Sequence, residues 1–250
     1  MKSYKFSGES GAGKTEATKQ ALNYLAYIAG SSSGIQGKIL NASPILEAWG
    51  NAKTLRNNNS SRFGKYIEVW FDGSNTIVGS SNTTYILEKS RVVFQSKDER
   101  NYHAFYQLLQ GGSVETLQRY RLQDPGKQGR PDLSVFSYIN QSGCITIDDV
   151  DDADDFRIMN EAFADVGFRS EDQECLYRTL AGILHLGNVQ FAAAGDESVI
   201  TPETEHSYQY AAEMFGVDVG FFRKALLFKK IKSGGGKRAS VAFSPYAPLA

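Results

Sequence analysis

Cysteine is scarce in these 250 residues. The two present, Cys144 and Cys175, stand in no metal-ligating spacing, so they read as structural, reduced thiols in a reducing compartment rather than as a disulfide framework. No apolar run is long enough for a signal peptide or a membrane span, which excludes direct membrane insertion as the reading. Without a secretory route, N-x-[S/T] triplets such as Asn82-Thr83-Thr84 are chance matches, and the chain reads as cytosolic. An excess of charge of either sign is missing too. The net value of −1 gives no reason to expect nucleic acid or an acidic membrane as partner. There is no internal repeat and no heptad run. The six Asp among residues 148–155 lack the Gly and terminal Glu of a calcium loop, so they read as a solvated turn and helix start.

What is present is ordinary for a globular chain, with 41% hydrophobic and 22% charged residues. The length allows one large domain or two small ones. Residues 3–7 alternate weakly, as a strand would. Ala17, Ala21, Leu25 and Ile28 recur at helical spacing and give one apolar face. The run "GSSSG" at 30–34 ends that helix in a flexible loop, and a second helix is expected over 38–49. "KYIEVWF" at 65–71 alternates, "DGSN" at 72–75 is a turn signal, and the strand resumes at 76–79, which predicts a hairpin. Residues 83–93 read as strand and then helix or loop. Helices are expected over 99–109, 154–166, 170–186, 206–215 and 217–228. His103 and His185, within apolar helices, read as packed or surface residues rather than ligands. The class is mixed α/β.

One stretch carries chemistry. In "GESGAGKTE", residues 8–16, Gly8, Gly13, Lys14 and Thr15 fit the phosphate-binding pattern G-x-x-x-x-G-K-[ST]. By average usage such a match arises by chance in about one chain of this length in a hundred. Gly permits the backbone to turn successive N–H groups onto a phosphate, and the helix that follows aims its N-terminus there. Lys14 then supplies a point charge to the β and γ phosphates, and the Thr15 hydroxyl a ligand to Mg²⁺. Downstream, "RNNNSSRFGKY" (residues 56–66) offers the amides of Asn57 and Asn59, the hydroxyls of Ser60 and Ser61, and Arg62. Taken alone that is a polar loop; following a phosphate loop it is a candidate for sensing the γ phosphate.

At this point the residues resemble the myosin motor head. "GESGAGKTE" is similar to that family's phosphate loop and "NNNSSRFGKY" (57–66) to its switch I. Between them, "SPILEAWGNAKT" (43–54) resembles the family's linking helix and loop. "YILEKSRVV" (85–93), "ERNYHAFYQLLQG" (99–111) and "LAGILHLGNVQF" (180–191) follow in family order. Ser43 and Trp49 depart from the usual Asn and Phe. Kinesins share an S-S-R triplet but do not continue it as F-G-K, and the N-K-x-D motif of small GTPases is absent. The short loop at 30–37 and the Asp run look most like single-headed unconventional myosins.

The resemblance implies a P-loop NTPase fold with a partial central sheet and many helices, within a cytoplasmic motor of the actin cytoskeleton. Residues 1–110 would hold the phosphate loop, switch I and adjoining strands, and 111–250 a mostly helical upper 50-kDa region with actin-facing loops. The implied cofactors are ATP and Mg²⁺. Gly8, Glu9, Ser10, Gly11, Ala12, Gly13, Lys14, Thr15 and Glu16, with Asn57 and Asn59, would line the nucleotide. Thr15 and Ser61 would ligate Mg²⁺. Ser60, Ser61 and Arg62 would form the catalytic set, with Arg62 paired to a switch II Glu. No D-x-x-G-F-E segment occurs after residue 66, so Arg62 is expected to lack its partner and the chain to be a motor fragment missing both terminal parts. The implied partner is the actin filament. It would be met by a surface loop at 192–205 and by the basic stretch at 226–243, with Lys229, Lys230, Lys232, Lys237 and Arg238; Ser240 is a candidate phosphorylation site. Light chains would bind only a neck that these residues do not include. The competing expectation is a non-hydrolysing remnant, or an incomplete gene model, that binds nucleotide weakly or not at all.

Overall fold

The computed structural model describes residues 4–9, 11–29, 35–124, 127–195, 197–233 and 240–245. The expected loop at 30–34 lies outside them. Helix α1 (Lys14–Ile28) follows the glycine loop directly, and α2 (Ile35–Gly50) runs through Pro44 without breaking. Two hairpins come next. The first pairs β1 (Asn51–Thr54) with β2 (Asn57–Ser61), Ala52 facing Ser60, and the second pairs β3 (Gly64–Phe71) with β4 (Ile77–Tyr85). The turn of the second is tied by the Asp72 carboxylate, which accepts from the backbone N–H groups of Ser74 and Thr76.

From there the chain is mostly helical. A 3₁₀ turn (Lys89–Val92) leads to α3 (His103–Gly111), in which every side chain from His103 to Leu109 is buried. Two short helices, α4 (Val114–Arg119) and α5 (Ser137–Asn140), come before α6 (Asp152–Val166). The Asp run does what a solvated helix start does: the Asp151 carboxylate accepts from the N–H groups of Ala153 and Asp154 and caps α6. Helices α7 (Ser170–Gly187), α8 (Glu205–Phe215) and α9 (Val219–Leu227) complete the set, with Asp218 capping α9. Between α7 and α8, β5 (Phe191–Ala194) pairs with β6 (Glu197–Ile200). After α9, β7 (Phe228–Ser233) pairs with β8 (Ser240–Pro245).

The main core lies where α2, α3, α6 and α7 meet, around Tyr106, Leu108, Leu109, Phe163 and Leu184. A smaller cluster of Val189, Ile200, Tyr208 and Leu227 holds α8 and α9 to the β5–β6 hairpin.

Three expectations need correction. The described strands form four separate two-stranded antiparallel sheets, not part of a central sheet. Residues 4–7 form no strand, and Tyr4 and Phe6 are exposed at 77% and 44%. A strand exists only through its pairing, and among the described residues nothing pairs with this segment. The helix expected from residue 99 starts at His103. Residues 100–102 instead hold the hairpin: Arg100 N–H donates to the Lys53 carbonyl and Tyr102 bridges to Ala52.

Candidate phosphate and metal site

The glycine loop places its chemistry at one end of α1. Gly13 is the N-cap and takes a left-handed φ of 78°, which a side chain would resist, and no side chain caps the helix. The helix N-terminus is thus open to an anion rather than to a neighbouring hydroxyl or carboxylate. Lys14 curls back over the loop, its Nζ donating to the carbonyls of Gly8 at 2.7 Å and Glu9 at 2.6 Å. Ala12 N–H bonds to Glu9 O, and the Glu9 carboxylate lies 3.9 Å from Arg56 across the gap. Gly11 is in the loop and exposed, Glu16 begins a pair with Lys19, and Ser10 lies outside the described residues.

Strand β2 brings the second set. Thr15 Oγ1 and Ser61 Oγ, forty-six positions apart in sequence, lie 3.4 Å from each other. Two hydroxyl oxygens at that separation are hard donors of the sort Mg²⁺ accepts, so the residues present fit the implied metal. Ser60 is buried and accepts from Arg62 Nη1 at 3.1 Å. Asn57 Oδ1 accepts from the Asn59 N–H, closing a local turn.

Arg62 is not left unpaired, although its partner is not the expected switch II Glu. Its Nε donates to Glu88 Oε2 at 2.6 Å, so it has a carboxylate partner within this chain. Glu88 also takes Arg91 Nε at 2.7 Å, and Arg91 reaches Glu99 at 3.0 Å. Burial works to raise the Glu88 pKa, but the hydrogen bonds from Arg62 and Arg91 outweigh it and hold the carboxylate below its ordinary range. The physical reason is simple: a half-buried guanidinium takes the nearest carboxylate, and the strand exit at Arg62 faces the segment after β4.

Asn59 is engaged differently from a ligand-lining amide. Its Nδ2 donates to Glu47 Oε2 at 2.9 Å, while its Oδ1 receives Asn51 Nδ2 at 2.9 Å and faces His103 Nε2 at 3.2 Å. The Glu47 carboxylate can only accept, which fixes the amide orientation and requires His103 to carry its proton on Nε2. Burial, and secondarily the Arg100 guanidinium, depress the His103 pKa to about 3, so the ring is neutral. Glu47 Oε1 meets Lys19 Nζ at 2.8 Å. Burial lowers the Lys19 pKa, but the bonds and charges of Glu47 and then Glu16 outweigh it, leaving it raised.

Four residues at or beside this site were not expected from the sequence: Lys19, Glu47, Glu88 and His103. Glu47 had a signal of a kind, an acidic residue in the otherwise apolar "SPILEAWG" of α2. Of the basic stretch, Lys229, Lys230 and Lys232 belong to β7, across from β8, where Ser240 faces Ser233; Lys237 and Arg238 lie outside the described residues.

Residues 2–245 match the family described as myosin head (motor domain). The chain belongs to the myosin motor domain family. It is 45% identical over 245 residues to the myosin ID heavy chain of Dictyostelium discoideum, covering 96% of this chain and 21% of that one. To unconventional myosin-Ic-A of Xenopus laevis it is 44% identical, covering 92% and 22%. To myosin-7 of Arabidopsis thaliana it is 45% identical, covering 85% and 12%. The myosin chain thus spans about a fifth of the Dictyostelium and Xenopus relatives. Among its described residues no helix is long and apolar enough to cross a membrane.

Proposed function

We propose that residues 8–16 and 57–62 form the phosphate-binding part of an Mg-ATP site in an actin-based motor. The observation that carries this reading is the meeting of Thr15 and Ser61 at 3.4 Å beside the uncapped N-terminus of α1. Lys14 would leave the Gly8 and Glu9 carbonyls for the phosphates. Thr15 and Ser61 would hold Mg²⁺, which neutralises phosphate charge when bound. The loop N–H groups and Asn57 orient the nucleotide, and Ser60 and Arg62 form the wall behind it. The reading is tested by titrating fluorescent ATP with and without Mg²⁺ against the chain and against Lys14→Ala. Binding that Lys14→Ala abolishes is the expected outcome. Binding indifferent to Lys14, or none by soluble folded chain, would overturn it.

Hydrolysis by these residues alone is expected to be negligible. Arg62 is committed to Glu88, and no D-x-x-G-F-E segment follows it in the sequence. Losing a charge-stabilising group costs about a thousandfold or more in such sites. Turnover at a whole motor's rate would contradict this. Actin is the proposed partner of the basic β7–β8 hairpin and of the exposed strand β5. Salt-sensitive cosedimentation with filaments tests that, and phosphate on Ser240 would weaken it by adding negative charge among cations.

A further inference from the structure

The hydrogen-bond chain from α3 to α1 touches no expected phosphate ligand except through Asn59, yet it spans both walls of the site. Glu47 on α2 stands at its middle, with one carboxylate oxygen taking the Asn59 amide and the other the Lys19 ammonium. The side chain is 23% exposed, so both charge-assisted bonds are partly shielded from water. Lys19 lies one helical turn beyond Thr15 on α1, and Asn59 lies two residues before Ser61 on β2. Both spacings keep a pair on one face of its element. The clamp and the hydroxyl pair therefore join the same two surfaces, one step apart.

Packing does not make the clamp redundant. Helix α1 has no buried side chain among its residues. Among the described residues, its side-chain bonds beyond its own helix and loop are Thr15 to Ser61 and Lys19 to Glu47. The other end is firm: His103, on the fully packed α3, and the buried Asn51 hold the Asn59 carbonyl oxygen.

We infer that Glu47 is a positioning residue. With Lys19 and Asn59 it sets the distance between the phosphate-loop helix and the β1–β2 hairpin, and hence the spacing of the Thr15 and Ser61 hydroxyls. The inference rests on the Mg-ATP reading for its ligand, though not for the clamp itself.

Two measurements on the chain separate these. The first is ATP affinity with Mg²⁺ and with EDTA for Lys19→Met, Glu47→Gln and Lys19→Arg. Lys19→Met and Glu47→Gln should lose about tenfold in Mg-ATP affinity and less than about twofold without metal, with Lys19→Arg close to wild type. Equal loss in both conditions would mean a general structural role and overturn the inference, as would no loss in either. The second is hydrogen exchange of the amides at 57–61 without ligand. Lys19→Met, a change on a different element, should speed their exchange by about tenfold; unchanged exchange would overturn the clamp. A wild-type chain that fails to bind ATP while its 57–61 amides respond to Lys19→Met would defeat the nucleotide reading and leave the clamp standing.

Discussion

Helices α1 and α3 are both apolar on at least one face, yet they are held in opposite ways. Every side chain of α3 from His103 to Leu109 is buried, whereas α1 buries none and leaves Tyr24 and Tyr27 exposed at 64% and 86%. The first is fixed by close packing from several sides; the second has only a half-buried stripe, Leu22, Leu25 and Ala26 beside Ile39, Leu40, Val69 and Ile77, with directed polar bonds at its N-terminal end. Close packing tolerates little movement, because interiors are as dense as organic crystals. A helix tied by hydroxyls and an ion pair can shift by exchanging partners. The end of this myosin chain proposed to face the nucleotide is thus the adjustable end, and the helical core is its rigid mount.

The largest test of that contrast is Phe163→Ala in the core, which should cost about 3–5 kcal/mol in thermal or chemical unfolding, against about 1 kcal/mol or less for Leu22→Ala on α1. Equal costs would erase the distinction. Acid comes next. The folded His103 pKa of about 3 lies below its ordinary 6.5, so the unfolded chain binds the extra proton between those values. Stability on this account is complete above pH 6.5 and falls by about 1.4 kcal/mol per unit below it, levelling off near pH 3. His185, buried and donating from Nε2 to the Tyr120 carbonyl, is also shifted down by its burial and adds in the same direction. His103→Gln should flatten part of that slope in denaturation measured at several pH values. Glu88→Ala should be milder, about 1–2 kcal/mol, because Arg91 keeps Glu99 and the Arg100 carbonyl while Arg62 reaches water. Smallest of all is Arg157→Ala, which removes exposed pairs to Asp154 and Glu161 on α6 and should leave the melting temperature unchanged.

Helix α7 and the β3–β4 hairpin were legible because periodicity and turn residues act over a few positions. The motif at 8–15 was legible as a pattern, since Gly8, Gly13, Lys14 and Thr15 stand at fixed spacing. Strand β2 was not legible. "NNNSS" has the composition of a loop, and it becomes a strand only because β1 pairs with it and buries Asn51 and Ser60. The Arg62–Glu88 pair was not legible, because its two members stand twenty-six positions apart and are brought together only by the return of the β3–β4 hairpin. Arg100 is similar. Nothing in "DERNY" foretells a guanidinium with no exposure, bonded to both Asp152 oxygens at 2.9 Å and stacked 3.6 Å over the Tyr106 ring.

The curl of Lys14 onto its own loop has a consequence for any affinity measured here. Its ammonium already holds the carbonyls of Gly8 and Glu9, so under the proposed nucleotide reading an arriving phosphate would compete with an internal occupant. The observed dissociation constant is then the intrinsic one divided by the fraction of molecules in which the latch is undone. A weak apparent affinity and a well-made site are compatible in this molecule, and loosening the latch is a route to tighter binding that adds no contact to the ligand.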